Sequence, residues 1–185
     1  EYYRDANVDF EKTSKSIKRK IKGKGLFISQ GFIGSNEKSF TTTLGREGSD
    51  YSAAIFAHAL DAELVIIWKD VRGVLNADPR YFNKTKLLKK ISYEEAIELA
   101  FYGASVIHPK TLQPLKKKNI PLFVKSFLSP TREGTLISKQ DFTIRNIPSH
   151  IVKWNRVLLK ISSKDFSFIV EKKISLIFSM LSKYK

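Results

Sequence analysis

Between Thr41 and Asp50 the chain reads Thr-Thr-Thr-Leu-Gly-Arg-Glu-Gly-Ser-Asp, with an apolar helical pattern directly behind it. Three threonine hydroxyls, two glycines, a guanidinium and a Ser-Asp helix cap in ten residues suit the binding of an anion. The glycines let backbone N–H groups come close to a ligand. A helix starting at Ser49 or Asp50 adds free N–H groups and the positive end of its dipole. Arg46 can clamp a carboxylate or a phosphate through two parallel bonds. An ordinary loop with a Ser-Asp cap reads the same way on these ten residues alone. Upstream, Gln30-Gly31-Phe32-Ile33-Gly34-Ser35-Asn36 adds a second glycine-bearing loop and favours the ligand.

A second constellation runs Trp68-Lys69-Asp70-Val71-Arg72-Gly73-Val74-Leu75-Asn76-Ala77-Asp78-Pro79-Arg80. It begins where the apolar run Leu64–Trp68 ends, and in open parallel sheets ligands bind beyond the carboxyl ends of strands. Asp70 and Asp78 can hold turns or orient a ribose, and Arg80 is placed to meet phosphate. Asp-x-x-Gly and Asp-Pro are also plain turn formers. The other chemistry-bearing residues are isolated. His58 lies in a helical pattern and His108 precedes a proline, so no metal set forms. Ser49 lacks the setting of a hydrolytic triad.

These segments need elements to carry them. Residues 11–21 read as a helix that stops at Gly23-Lys24-Gly25. Leu26-Phe27-Ile28 reads as a short buried strand. Phe32–Thr43 reads as a hairpin turning at Ser35–Lys38, and Asp50–Leu60 as a helix. Leu64–Trp68 reads as a strand apolar enough for a parallel sheet covered on both faces. Ser92-Tyr93-Glu94-Glu95 has capping-box spacing and opens a helix through Ala100 that Gly103 ends. Pro109 starts another helix through Lys118, which Pro114 threatens to shorten or kink. Ile120–Val124 is a further strand. This alternation predicts an α/β layered sheet. Beyond Ile137 the chain becomes polar, then gives a strand over Val157–Ile161 and an amphipathic helix over Glu171–Tyr184.

Composition narrows the classes. Apolar residues make up 42% of the chain, which excludes wholesale disorder. Cysteine is absent, so disulfides and thiolate metal sites are excluded, and a cytoplasmic setting fits. No run is long and apolar enough for a membrane helix. The formal charge of +15 raises nucleic-acid binding as an alternative. The excess is mostly scattered lysine, as at Lys18-Arg19-Lys20 and Lys116-Lys117-Lys118, which favours solvated surface. The opening Glu1-Tyr2-Tyr3 reads as a piece of a longer protein.

The Gln-Gly-Phe-Ile-Gly and Thr-Thr-Thr-Leu-Gly-Arg-x-Gly-Ser-Asp segments resemble the substrate loop of aspartokinases, which phosphorylate L-aspartate. The segment from Trp68 to Arg80 is similar to their ATP segment, Phe101–Pro109 to their turn before a His-Pro pair, and Gly134-Thr135-Leu136 to the end of their kinase domain. Residues 152–184 resemble the first strand and helix of an ACT regulatory domain. The resemblance implies an amino-acid-kinase-type αβα sandwich with a mainly parallel sheet, incomplete here, followed by a partial ACT-like α+β element. The implied divisions are 1–138 for the carboxyl-terminal part of the catalytic domain, 139–150 for a linker and 151–185 for the regulatory start.

The same resemblance implies site roles. Phe32, Arg46 and Ser49 would line the aspartate site, with Arg46 on the α-carboxylate, and Asp50 would act catalytically by organising cationic groups. Lys69, Asp70, Leu75, Arg80 and Ser105 would contact the nucleotide. Leu75 stands where the family commonly has tyrosine, and Ser105 where it often has lysine. ATP with Mg2+ and L-aspartate would be the ligands. Lysine or threonine would be an allosteric ligand of a homo-oligomeric parent, with no membrane partner and nucleic acid disfavoured. The main phosphate-neutralising lysine of the family lies in a Lys-x-Gly-Gly motif, which these 185 residues lack. Activity of this chain alone is therefore not expected. Another amino-acid or uridylate kinase of the same fold, a non-catalytic regulatory or dimerisation piece, and a basic nucleic-acid-binding module are the alternatives.

Overall fold

Alternating burial along the strands sets the architecture. In the computed structural model, which describes residues 3–103, 106–140, 147–157, 159–162 and 171–183, Val65 and Ile67 point into a core that also takes Leu122, Val124 and Ile137. They lie on β3 (Val65–Lys69), β5 (Leu122–Ser126) and β6 (Thr135–Ser138), and β4 (Lys90–Ser92) completes a four-stranded sheet of order β3-β5-β6-β4. The β3–β5 and β4–β6 pairs are parallel and β5–β6 is antiparallel. A separate hairpin of β1 (Ile33–Ser35) and β2 (Thr41–Thr43) pairs Ile33 with Thr43.

Three helices supply the other side of the core: α2 (Gly48–Leu60), α3 (Tyr93–Tyr102) and α4 (Pro109–Lys118), through Ala54, Ala57, Ala96, Leu112 and Leu115. A fourth, α1 (Phe10–Lys20), packs on α2 around Ile17, Leu44, Ile55 and Ala59. Local chemistry fixes the ends. Asp9 accepts from the Lys12 N–H to start α1. Ser92 and Glu95 close the expected capping box on α3, and Gly103 ends that helix at φ 116°. His108 caps α4 by accepting from the Lys110 N–H at 3.1 Å, so its imidazole is structural. Pro114 does not break α4, which continues to Lys118 with the ring buried.

Three expectations fail, two of them for one reason. Leu26, Phe27 and Ile28 form no strand and are 91%, 49% and 92% exposed. The described residues between Val157 and Ile161 are likewise exposed and outside any strand, and Leu158 lies outside the described residues. A strand persists only with a ladder partner, and neither segment has one among the described residues. Ile66 and Trp68 of β3, and Leu64 just before it, are 41–46% exposed, so helices of the described residues cover one face of this strand rather than both.

Tyr93 is fully buried, and its hydroxyl donates to the Ile120 carbonyl. Burial pushes its phenol up to about 12. Because the folded pKa lies above the unfolded value, this stability is complete below about pH 10 and drains away as pH rises toward 12, about 2–3 kcal/mol in all. Tyr93→Phe should cost about 1–2 kcal/mol at neutral pH by leaving the carbonyl without its donor. It should also flatten the fall in stability between pH 10 and 12, measured by denaturant titration.

The chain divides into two compact units, Glu1–Val152 and Lys153–Lys185. The boundary lies just beyond the stretch expected to be a linker, part of which, residues 141–146, is outside the described residues. The second unit contains α5 (Glu171–Ser182), close to the expected helix, with Ile174, Phe178 and Leu181 exposed. No helix among the described residues is long and apolar enough to cross a membrane.

Candidate functional site

The threonine- and glycine-rich loop enters α2 differently from the sequence expectation. The helix starts at Gly48, so Ser49 and Asp50 occupy its first turn rather than its cap. The cap residue is Glu47, held in the left-handed region at φ 55°, ψ 32° with no side-chain capping bond. A non-glycine residue there costs on the order of 1 kcal/mol, a strain that favours a role for the side chain. Gly48 is required by packing: a Cβ there would lie 2.7 Å from the Phe32 ring. Its N–H bonds the Gly45 carbonyl at 3.1 Å, which tightens the loop into the helix.

Ser52 ties the two substrate-loop segments together. Its buried hydroxyl accepts from the Phe32 N–H at 2.8 Å and donates to the Gly48 carbonyl at 2.9 Å. Phe32 is itself left-handed at φ 71° and 42% exposed. A Cβ on Gly31 would meet the Ser49 Cα at 3.1 Å, so these loops touch backbone to backbone. Arg46 and Ser49 are exposed beside them, and Arg46 has no ion-pair partner among the described residues. The arrangement presents a guanidinium, a hydroxyl and the first amides of α2 on one exposed loop.

Beneath that loop, α2 meets the carboxyl end of β3. Lys69 Nζ lies 2.8 Å from Asp50 Oδ2 and 3.8 Å from Glu47 Oε2. The side chains of Lys69, Glu47 and Asp50 are only 21%, 18% and 13% exposed. Both named carboxylate oxygens are buried without an aligned hydrogen bond, so the contact is an ion pair held by charge rather than by donor direction. Two carboxylates face one ammonium, leaving a formal excess of one negative charge. Sequence reasoning finds Asp50 and Lys69 and misses Glu47. The signal is its spacing: an acidic residue three before Asp50 falls on the same side of a helix start.

The remaining nucleotide candidates follow β3. Asp70 is exposed at the strand end. Leu75 pairs with Leu87 in an isolated antiparallel bridge and, with Arg72, Thr85, Leu87 and Arg132, lines a cavity of about 120 Å³. Arg80 folds back on Asp78, with Nε 3.1 Å from both carboxylate oxygens and Nη2 2.6 Å from Oδ2. Those side-chain bonds, with the Arg80 N–H behind them, hold the Asp78 carboxyl below the usual carboxylate range and raise the Arg80 guanidinium. Ser105 lies outside the described residues. A larger hollow of about 630 Å³ opens elsewhere, between α1, the hairpin and α2, and includes none of these candidates. Among the described residues no three His, Asp or Glu side chains group as metal ligands.

Comparison with known proteins agrees with the loops. The amino acid kinase family matches over residues 4–126. The bifunctional aspartokinase/homoserine dehydrogenase of Buchnera aphidicola is 37% identical over 182 residues, which are 98% of this chain and 22% of that protein. Lysine-sensitive aspartokinase 3 of Escherichia coli is 45% identical over 75% of this chain and 31% of its own length. The crystal structure of E. coli aspartokinase III in complex with aspartate and ADP matches with a TM-score of 0.60 at 50% identity, covering 63% of this chain and 26% of that one. The chain thus spans between about a fifth and a third of the length of these relatives. With its family match running through both candidate loops, the chain belongs to the amino acid kinase family and stands there among the aspartokinases.

Proposed function

We propose that this chain is the carboxyl-terminal half of an aspartokinase catalytic domain with the start of an ACT-like regulatory domain, 139–150 being the linker between them. The longer enzyme transfers the γ-phosphoryl of MgATP to the side-chain carboxylate of L-aspartate. One observation carries the reading: the Asp50–Lys69 pair joins the amino-acid loop at the start of α2 to the nucleotide segment at the end of β3. Two ligands held on either side of that pair would have their reacting groups meet over it.

The chemistry asks mainly for positioning and charge neutralisation. Arg46 holds the α-carboxylate of aspartate, with Ser49 and Phe32 fixing its backbone and flank. That leaves the side-chain carboxylate free to attack phosphorus in line. A new P–O bond forms to aspartate while the bond to the ADP oxygen breaks, giving β-aspartyl phosphate and ADP. Asp50 keeps Lys69 extended toward the phosphates. Asp70, Leu75, Arg80 and Ser105 contact the nucleotide, and Arg80 reaches phosphate by giving up part of its pairing with Asp78. Magnesium enters as part of the MgATP substrate. The parent is a cytoplasmic homo-oligomer whose regulatory domain takes lysine or threonine.

A coupled assay with MgATP and aspartate on the isolated chain should show no turnover. Glu47 and Asp50 outnumber Lys69 where the two loops meet, and these 185 residues lack the Lys-x-Gly-Gly lysine that would neutralise a γ-phosphoryl group. Turnover in the ordinary kinase range of about 1–100 per second would overturn the reading of this chain as half a site.

A further inference from the structure

Asn76 sits in the middle of the proposed nucleotide segment, buried, with every polar group of the residue engaged. On one side its Oδ1 accepts from the Lys86 N–H at 2.7 Å, and its own N–H donates to the Lys86 carbonyl at 3.0 Å. On the other, its Nδ2 donates to the Pro148 carbonyl at 3.0 Å, and its carbonyl accepts from the His150 N–H at 2.7 Å. Ala77 extends this second side as a parallel bridge to His150. The His150 ring stacks on Phe82 with centroids 5.8 Å apart and planes 26° from parallel, and the Phe82 N–H bonds the Asp78 carbonyl at 3.0 Å. Ile147 packs against the main core.

We propose that Asn76 is a positioning residue that fastens the strap Ile147–Ile151 to the nucleotide segment, so that strap attachment and nucleotide occupancy are linked equilibria. The inference rests on reading Lys69–Arg80 as the nucleotide segment. The upstream part of that segment cannot follow the strap, because the Val74 N–H is anchored on Thr135 Oγ1 at 2.8 Å and the Val74 carbonyl on the Leu88 N–H at 2.9 Å. The Leu75–Leu87 bridge and the two Asn76–Lys86 bonds hold the next two residues as well, so movement is confined to Ala77–Arg80, the stretch that starts where the strap is fastened. Letting go leaves a buried amide without its acceptor and a carbonyl without its donor, so attachment is close to all-or-none. A nucleotide that favours one setting of Asp78 and Arg80 thereby favours the attached strap, and attachment favours nucleotide to the same degree. Val152 closes the first compact unit and Lys153 begins the second, so the strap is the part of the first unit from which the chain runs on into the second.

Two substitutions separate the halves of the residue. Asn76→Asp keeps the acceptor for Lys86 and sets a carboxylate oxygen against the Pro148 carbonyl; Asn76→Ala removes both bonds. Hydrogen exchange on the full chain, with MgADP as the probe, reads them. In the unmodified chain MgADP should slow exchange at the His150 amide as well as across Lys69–Arg80. In Asn76→Asp the His150 amide should exchange about tenfold faster or more while Lys86 stays protected, and MgADP should bind about fivefold or more weakly. In Asn76→Ala both amides should be released. MgADP that protects Lys69–Arg80 and leaves His150 unchanged would overturn the linkage and keep the nucleotide reading. Failure of MgADP to protect the segment at all would remove the nucleotide reading and the linkage with it. An Asn76→Asp chain whose His150 exchanges as before would show that the side chain fastens nothing.

Discussion

Arg46→Ala in the full-length kinase proposed above is expected to lower kcat/KM for aspartate by about 30- to 5,000-fold. Its guanidinium stands exposed on the loop that enters α2, with no ion-pair partner among the described residues to hold it elsewhere. Once the rest of the shell closes over it, the pair it makes with the α-carboxylate is bidentate and desolvated. Truncating one partner of such a pair costs roughly 2–5 kcal/mol, at about tenfold per 1.4 kcal/mol. Arg46→Lys should recover only part, because an ammonium cannot reproduce the planar fork. The KM for ATP should move far less, since the proposed nucleotide contacts lie on Lys69–Arg80 instead. Steady-state kinetics with each substrate varied in turn decides it. A raised ATP KM with aspartate untouched would mean that the two loops are assigned the wrong way round.

Asp50→Ala should act on the chemical step instead. Asp50 touches Lys69 at 2.8 Å, and its loss leaves the ammonium with Glu47 at 3.8 Å as its remaining carboxylate. On the proposed reading, a lysine free to collapse onto Glu47 would no longer point at the phosphoryl group as the transition state forms. The expected loss is about 100- to 1,000-fold in kcat, the size seen when one preorganised electrostatic contact is removed, with ATP KM nearly constant. Stability should fall by only about 1–2 kcal/mol. That is less than for a fully buried pair, because Glu47 still compensates the charge. Thermal unfolding beside kinetics separates the two effects. A lowered melting temperature with kcat intact would reduce the pair to a structural ion pair.

Helix boundaries were legible where a local device sets them, as at the Ser92–Glu95 capping box, Gly103 and Pro109. The helix after the glycine-rich loop was legible too, but not its first residue. Ser49 and Asp50 are the preferred capping types, and the structure uses Glu47 because packing of Gly48 on Phe32 sets the entry of the chain. Strands fared unevenly. Val65–Lys69 announced itself by apolar content, whereas Lys90–Ser92, at three residues, carries too little pattern to detect and owes its existence to pairing with β6. Leu26–Ile28 has the pattern without the partner. The two candidate loops were visible as residue types and spacing. Their meeting through Lys69, and the part Glu47 plays in it, needed the third dimension. So did Asn76, which one line of sequence offers only as a polar residue in a turn.

The outermost position of β3 has a colloidal consequence. Among the described residues one edge of that strand is unpaired, and its outward side chains are Ile66 and Trp68, with Leu64 just before them. An open edge with an apolar flank is a template for another copy of the same strand. What opposes that contact is the charge of +15, which keeps molecules apart only as far as the solvent lets the field reach. That distance shrinks from about 10 Å at 0.1 M salt to about 3 Å at 1 M. Dispersal in dilute buffer is therefore electrostatic rather than a property of a finished surface. Light scattering should report single molecules at low salt and growing particles as salt approaches about 1 M, where repulsion no longer spans the gap. Ile66→Lys, placing a charge on the outward face, should suppress that growth without disturbing the buried side of the sheet.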